Sequence, residues 1–147
     1  NRLWELSPGE RLIIRDPWGT ITYKGPGTFI AGGAGVTPFI AILRRLAADG
    51  GLAGHTLIAS HRTEKDIILR EEFEAMRAGG LEVIWTVTDQ PDAEGVLHER
   101  IDRDFLRRHV EHFDRNFYLC GPDPMVKDLR ETLQRLGVDV ESVTWER

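Results

Sequence analysis

Cysteine is almost absent: Cys120 stands alone among 147 residues. One thiol cannot close an internal disulfide, and by itself it cannot hold an iron–sulfur cluster or a structural zinc. No apolar run approaches the roughly 18 residues of a membrane span, and no signal peptide opens the chain. Those absences together predict a soluble protein of a reducing, cytoplasmic setting. Basic charge is in short supply as well. The net charge is -5 with both signs interspersed, which argues against a nucleic-acid binder and against a polybasic membrane surface. The five histidines, His55, His61, His98, His109 and His112, follow no metal-binding pattern. His109 and His112 share a helix face, yet no third ligand accompanies them, so no metal site is expected. Internal repeats and low-complexity segments are missing too.

Glycine, by contrast, is placed with purpose. In Phe29-Ile30-Ala31-Gly32-Gly33-Ala34-Gly35-Val36-Thr37-Pro38 an apolar run ends in glycines and a helical pattern follows at once. That order predicts a backbone-lined turn at a strand end, with a helix N-terminus aimed at it. Such a turn admits close approach to the main chain and favours negative charge, as on nucleotide phosphates. The spacing is G-x-G-x-x-P, with Pro38 where the common dinucleotide turn has its third glycine. Thr37 reads as an N-cap and Pro38 as the first helical residue. Phe39, Ile42, Leu43 and Leu46 then fall on one face, and Gly50-Gly51 ends the run. The residues alone leave two readings level: a phosphate-binding turn, or simply a tight connection in an α/β domain.

Strand-like runs lie near 28–31, 55–60, 81–87, 116–120 and 142–146. Helical patterns lie near 38–49, 68–78, 102–113 and 124–136, and Asp123-Pro124 repeats the cap-then-proline arrangement of Thr37-Pro38. This alternation predicts an α/β fold: a five-stranded parallel, doubly wound sheet with ligand sites at the carboxyl ends of its strands. Lys24-Gly25-Pro26-Gly27 reads as a boundary, dividing residues 1–24 from a domain over 25–147. In the first part, residues 11–15 look like a short strand between the turns Ser7-Pro8-Gly9-Glu10 and Asp16-Pro17-Trp18-Gly19. The opening Asn1-Arg2-Leu3-Trp4-Glu5-Leu6 has no initiator Met and reads like the middle of a longer chain.

The fourth strand delivers a thiol: Phe117-Tyr118-Leu119-Cys120-Gly121-Pro122-Asp123-Pro124-Met125. Cys120 has three readings, as a small core residue, a hydrolytic nucleophile, or a non-covalent wall of a ligand pocket. Bulky Tyr118 and Leu119 disfavour the tight elbow that a nucleophile needs. The glycine turn and the Cys-Gly-Pro-Asp-Pro-Met segment, in this order, resemble the paired signatures of the ferredoxin/flavodoxin–NAD(P) reductase superfamily, closest to its bacterial flavodoxin-reductase type. The resemblance covers nearly the whole chain. It implies a pyridine-nucleotide domain preceded by a flavin-binding β-barrel, with residues 1–24 as the barrel's C-terminal remnant. It further implies NAD or NADP as hydride source and FAD as its acceptor. Electrons would pass on to a flavodoxin, a ferredoxin or a partner oxygenase.

By that resemblance Gly32, Gly33, Gly35 and Thr37 cradle the pyrophosphate and ribose. Cys120 and Gly121 sit beside the nicotinamide, with Pro122 and Met125 shaping the wall. Asn1 and Arg2 match the segment just after the family's flavin-pyrophosphate turn, while its Arg-x-Tyr-Ser/Thr flavin motif is absent. Ser142-Val143-Thr144-Trp145-Glu146 resembles the family's last strand, which places Trp145 near the flavin and Glu146 with Cys120 at the reacting centre. The other reading of Trp145 is packing against a helix. The second strand ends in Ser60-His61-Arg62-Thr63 and the third in Thr88-Asp89-Gln90. In plant-type relatives the third strand is followed by Ser-Arg, which holds the 2′-phosphate of NADP; Asp89 repels a phosphate and suits a ribose hydroxyl, whereas Arg62 and Lys65 pull the other way. The balance leans to NADH. Two other functional readings remain at this level. One is a nucleotide-binding regulatory module without redox activity; the other is a phosphoacceptor domain, which would need an acidic cluster where this chain has glycines.

Overall fold

In the computed structural model, residues 5–11, 13, 19 and 21–146 are described. Five short runs form strands: β1 (Gly27–Gly32), β2 (Thr56–His61), β3 (Glu82–Val87), β4 (Asn116–Cys120) and β5 (Val143–Glu146). All pair in parallel, in the order β3-β2-β1-β4-β5. The crossovers contain α1 (Thr37–Ala48), α2 (Arg70–Met76), α3 (Arg103–His109) and α4 (Asp123–Arg135).

The period-2 alternation of each strand divides the core in two. On one face Phe29, Leu57, Val83 and Tyr118 meet Phe39 and Leu43 of α1 and Phe73 and Met76 of α2. On the other, Ile30, Ile58, Phe117 and Leu119 meet Phe105 and Leu106 of α3 and Val126, Leu129 and Leu133 of α4. β1 is buried along its whole length because it has a strand on each side and helices on both faces. Each fully buried Phe, Leu or Ile contributes about 1.5–3 kcal/mol before chain entropy is charged against it. This is the doubly wound five-stranded sheet expected from the alternation of strands and helices.

Local details depart from the sequence reading. Thr37 is not an N-cap: it is already helical, Val36 takes the cap position, and Pro38 follows inside the first turn. A 3-10 turn over Gly33–Val36 carries the chain from β1 into α1, and the Thr37 hydroxyl donates back to the Ala34 carbonyl at 2.9 Å. Asp123 is likewise the first helical residue, with Pro122 at the cap. The third helix is shorter than 102–113. Asp102 caps it by accepting from the Phe105 amide at 2.9 Å, and Val110 turns extended, which leaves Phe113 beyond its end. The second begins only at Arg70, behind Leu69 in a left-handed conformation.

The boundary at Lys24-Gly25-Pro26-Gly27 is tied down. The buried Tyr118 hydroxyl accepts from the Lys24 amide at 2.9 Å and donates to the Gly25 carbonyl at 2.8 Å. Tyr23 stacks on Tyr118, and its hydroxyl meets Nε2 of buried His55 at 2.9 Å, while His55 Nδ1 bonds the Leu52 carbonyl at 3.1 Å. Earlier, Ser7–Glu10 forms the expected turn, closed by Glu10 N to Ser7 O at 3.1 Å. No described residue before Gly27 is paired as a strand. Most of the strand expected over 11–15, and the Asp16–Trp18 part of the next turn, lie outside the described residues.

Tyr118→Phe keeps the ring and deletes both hydrogen bonds. Its urea midpoint should fall by the equivalent of about 1 kcal/mol at unchanged slope. An unchanged midpoint would show that the hydroxyl does not hold the 21–26 segment.

Candidate functional site

From β1 the chain crosses to β2 on one side, and β4 pairs on the other, so the carboxyl ends of β1 and β4 flank the switch point of the sheet. Ala31 lies opposite Cys120 there. The two turns that follow touch backbone to backbone. A Cβ on Gly35 would stand 2.2 Å from the Cys120 carbonyl oxygen, and one on Gly121 would stand 3.0 Å from the Gly32 amide nitrogen. Gly32 has no room for a side chain either: Met125 Sδ would be 2.4 Å away. Gly33 is different. It has φ +54°, and nothing lies within 4 Å of where its Cβ would be.

Between the turns opens a cleft of about 440 Å³, with the N-termini of α1 and α4 beside it. Gly32, Gly33, Gly35 and Thr37 line one side; Cys120, Gly121 and Pro122 line the other, with Glu146 at the end. Thus the predicted residues of both signatures meet in one place, together with Ala34 and Pro38, which sequence reasoning does not count among the site residues. Met125 contributes from behind, through its contact with Gly32. Trp145 faces away, against α4, where the Arg130 guanidinium sits 4.2 Å from its ring centroid. The helix-packing reading describes its position. Asn1 and Arg2 lie outside the described residues.

Cys120 is 8% exposed. Burial pushes the Cys120 thiol up and the Glu146 carboxylate adds to this, so the thiolate that a nucleophile requires is disfavoured. The two other readings stay open: Cys120 belongs to the core cluster of Phe29 and Tyr118, and it also lines the cleft.

Two strands away, the ends of β2 and β3 carry a second group. Arg62 Nε donates to Asp89 Oδ2 at 2.9 Å, and Thr88 Oγ1 donates to Asp89 Oδ1 at 2.8 Å. The Arg62 guanidinium, then the Thr88 hydroxyl, hold the Asp89 carboxyl below its usual range. Both side chains are largely exposed, so the pair adds little stability. It does occupy the cation counted in the sequence as available to a phosphate. Ser60, half-buried, points to the face shared with Ile58.

Sequence reasoning misses His61, because nothing in its local pattern marks it. It is 4% exposed, and neither ring nitrogen has a hydrogen-bond partner among the described residues. Burial pushes its pKa below the ordinary 6.5, against a smaller pull from Asp66. Asp66 itself is held by Thr63, whose amide and hydroxyl donate to it at 3.0 and 2.8 Å. No group of three or more potential metal ligands occurs among the described residues, and no described helix is long and apolar enough to cross a membrane.

Residues 29–131 match the family described as oxidoreductase NAD-binding domain. The chain belongs to that family. NADH-cytochrome b5 reductase 1 of Bos taurus is 32% identical, over 90% of this chain and 52% of the relative. NADH-cytochrome b5 reductase 3 of Rattus norvegicus is 30% identical, over 92% of this chain and 54% of the relative. The chain therefore spans about half the length of these relatives. The cytochrome b5 reductase domain of Ulva prolifera nitrate reductase superposes with a TM-score of 0.77 at 24% identity, over 90% of this chain and 57% of that one, which shows the shared fold.

Two predictions come from this geometry. Gly33→Ala should fold, at a cost of about 1 kcal/mol for its left-handed backbone, because its Cβ enters open space. Gly35→Val, which the sequence alone would cast as a pure binding lesion, should instead lose several kcal/mol, since the side chain meets the Cys120 carbonyl. Chemical denaturation separates them, and equal losses would sink the assignment. The second concerns His61. Its folded pKa is depressed, so the unfolded chain binds the extra proton; the contribution is whole above pH 6.5 and is lost as pH falls through the folded value. His61→Phe should flatten stability across that window; identical pH profiles would contradict it.

Proposed function

We propose that this chain is the nucleotide-binding part of an NAD(P)H-dependent flavin reductase, which moves hydride from the nicotinamide to FAD and electrons onward to a small carrier protein or partner oxygenase. The observation that carries the reading is the cleft at the switch point, where the open, left-handed Gly33 turn faces the Cys120-Gly121 turn. The site fits a dinucleotide. Unobstructed backbone at Gly33 and Ala34, beside the N-terminus of α1, suits a pyrophosphate. Cys120, Gly121 and Pro122 form a flat, small-residue wall suited to a nicotinamide ring. Thr37 supports the turn by fixing the Ala34 carbonyl.

The bound nicotinamide would supply the hydride, and this chain's own residues position it. Cys120 fixes the approach of the ring by contact, as a protonated thiol. Glu146, in register with Cys120 at the end of β5, sets the electrostatics of the mouth. At the far end, Asp89 with Arg62 bound to it favours a free ribose hydroxyl over a 2′-phosphate, which supports NADH as the preferred donor. A flavin as hydride acceptor and a cytoplasmic setting belong to the same reading.

Stopped-flow reduction of the flavin-loaded protein tests it. NADH should reduce the flavin faster than NADPH. Cys120→Ser should lower the reduction rate about tenfold while nucleotide affinity changes less, because the contact tightens towards the transition state. An unchanged rate would return Cys120 to the core. Flavin that neither nucleotide reduces would discard the reductase reading in favour of a nucleotide-binding regulatory module.

A further inference from the structure

Between β3 and α3 the chain makes an excursion over residues 88–96 before Leu97 returns to the edge of β3. There the Leu97 amide donates to the Trp85 carbonyl at 2.9 Å, and its carbonyl accepts from the Val87 amide at 2.8 Å. Three side-chain rungs tie the excursion to the connection between β2 and α2. Arg62 holds Asp89 at 2.9 Å. The Gln90 side-chain oxygen accepts from the Glu64 amide, also at 2.9 Å. Arg70 makes the third rung: its guanidinium pairs with the Glu64 carboxylate and donates to the Glu94 carbonyl at 3.3 Å. Of the three, only Arg70 grips both segments through one side chain at two points, as a planar fork can. It is also the better sheltered ion pair, 30% and 35% exposed for Arg70 and Glu64 against 83% and 44% for Arg62 and Asp89. The backbone is bent to deliver it. Leu69 takes φ +51°, a left-handed conformation that residues with a Cβ rarely adopt, and α2 starts at the next residue, Arg70.

We propose that Arg70 is a positioning residue for Asp89, and that through it the chain tells a free ribose 2′-hydroxyl from a 2′-phosphate. The inference rests on the reading of Asp89 given above and deepens it. The Asp89 amide bonds the Arg62 carbonyl at 2.9 Å, so its main chain leaves β3 from a fixed point. Beyond that point the excursion is held by side chains. Arg70 fixes Glu64, whose amide holds Gln90, the neighbour of Asp89, and it fixes Glu94 farther along. The Asp89 carboxylate keeps its aim between these ties, with Thr88 on one oxygen and Arg62 on the other. If the excursion swings away, the carboxylate goes with it and the exposed Arg62 is left as an unpaired cation, which favours a phosphate. Arg70 itself does not line the cleft, so it acts through Asp89 alone.

The probes are 5′-AMP and adenosine 2′,5′-bisphosphate, titrated separately into the isotope-labelled chain and followed by NMR. The wild-type chain should bind AMP more tightly, with shifts at residues 61–63 and 88–90. Arg70→Ala should cut the preference for AMP over the bisphosphate about fivefold and return the Asp89 carboxyl titration towards its ordinary range. Arg70→Lys, which keeps the charge and loses the fork, should fall between. A wild-type chain that favours the bisphosphate, or answers neither probe, refutes the Asp89 reading and takes this inference with it. With the wild type as expected, an unchanged preference in Arg70→Ala overturns the inference alone. So does a lost preference in a variant whose spectrum is disturbed across the whole sheet, since that marks a general lesion and not a displaced carboxylate.

Discussion

The rest of the molecule hangs on one contact that contains no side chain. Where β1 and β4 end, the backbones of Gly32–Gly35 and Cys120–Gly121 approach so closely that a methyl group at Gly35 would overlap the Cys120 carbonyl. That approach holds the two turns in fixed relation, and the turns in turn set the starting points of α1 and α4. Both helices then begin beside one cleft, with their partial positive charge directed there. Substituting bulk at this contact must displace a strand end, a turn or a helix. The glycines are structural first, and the open site is what their packing leaves between them.

Only at Gly33 of these four would a side chain enter open space. Gly32 is filled in from behind by Met125, Gly35 and Gly121 by the opposite backbone, while Gly33 turns its bare face outward. The site therefore separates into a rigid back and an accessible front, each made from glycine for a different reason. Along the same edge of the sheet, from Cys120 on β4 to Asp89 after β3, lie three strand spacings, about 14 Å. The Arg62–Asp89 pair stands at the far end of that edge, next to buried His61, whose carbonyl accepts from the Thr88 amide at 3.1 Å.

Periodicity located the sheet well, since strands covered on both faces leave continuous apolar runs such as Phe117–Leu119. It failed at the ends of helices. Thr37 and Asp123 have the chemistry of caps, but a 3-10 turn and a proline took the cap positions, and those depend on how the preceding turn closes. The G-x-G spacing shows that side chains are excluded without naming what excludes them; only the fold reveals that Cys120 does so at Gly35. Trp145 has the same ambiguity. A strand residue points to one face or the other by register alone, and register put it against α4. Arg62 and Asp89 carry opposite charges on neighbouring strand ends, so their pairing follows once β2 and β3 are known to be adjacent.

The segment before β1 shows why the composition break at Gly25-Pro26-Gly27 is not a hinge. Tyr23 and Lys24 are bound to His55 and Tyr118, both rooted in the core, and Lys24 Nζ donates to the Glu141 carbonyl at 3.2 Å. Ile21 packs onto the same core face. A Cβ on Gly19 would lie 3.7 Å from Glu146 Oε2, at the mouth of the cleft. Over residues 21–24 the main anchors are the buried Tyr118 hydroxyl and His55 imidazole, with the exposed Lys24 ammonium as a lesser one. The buried anchors are insensitive to salt.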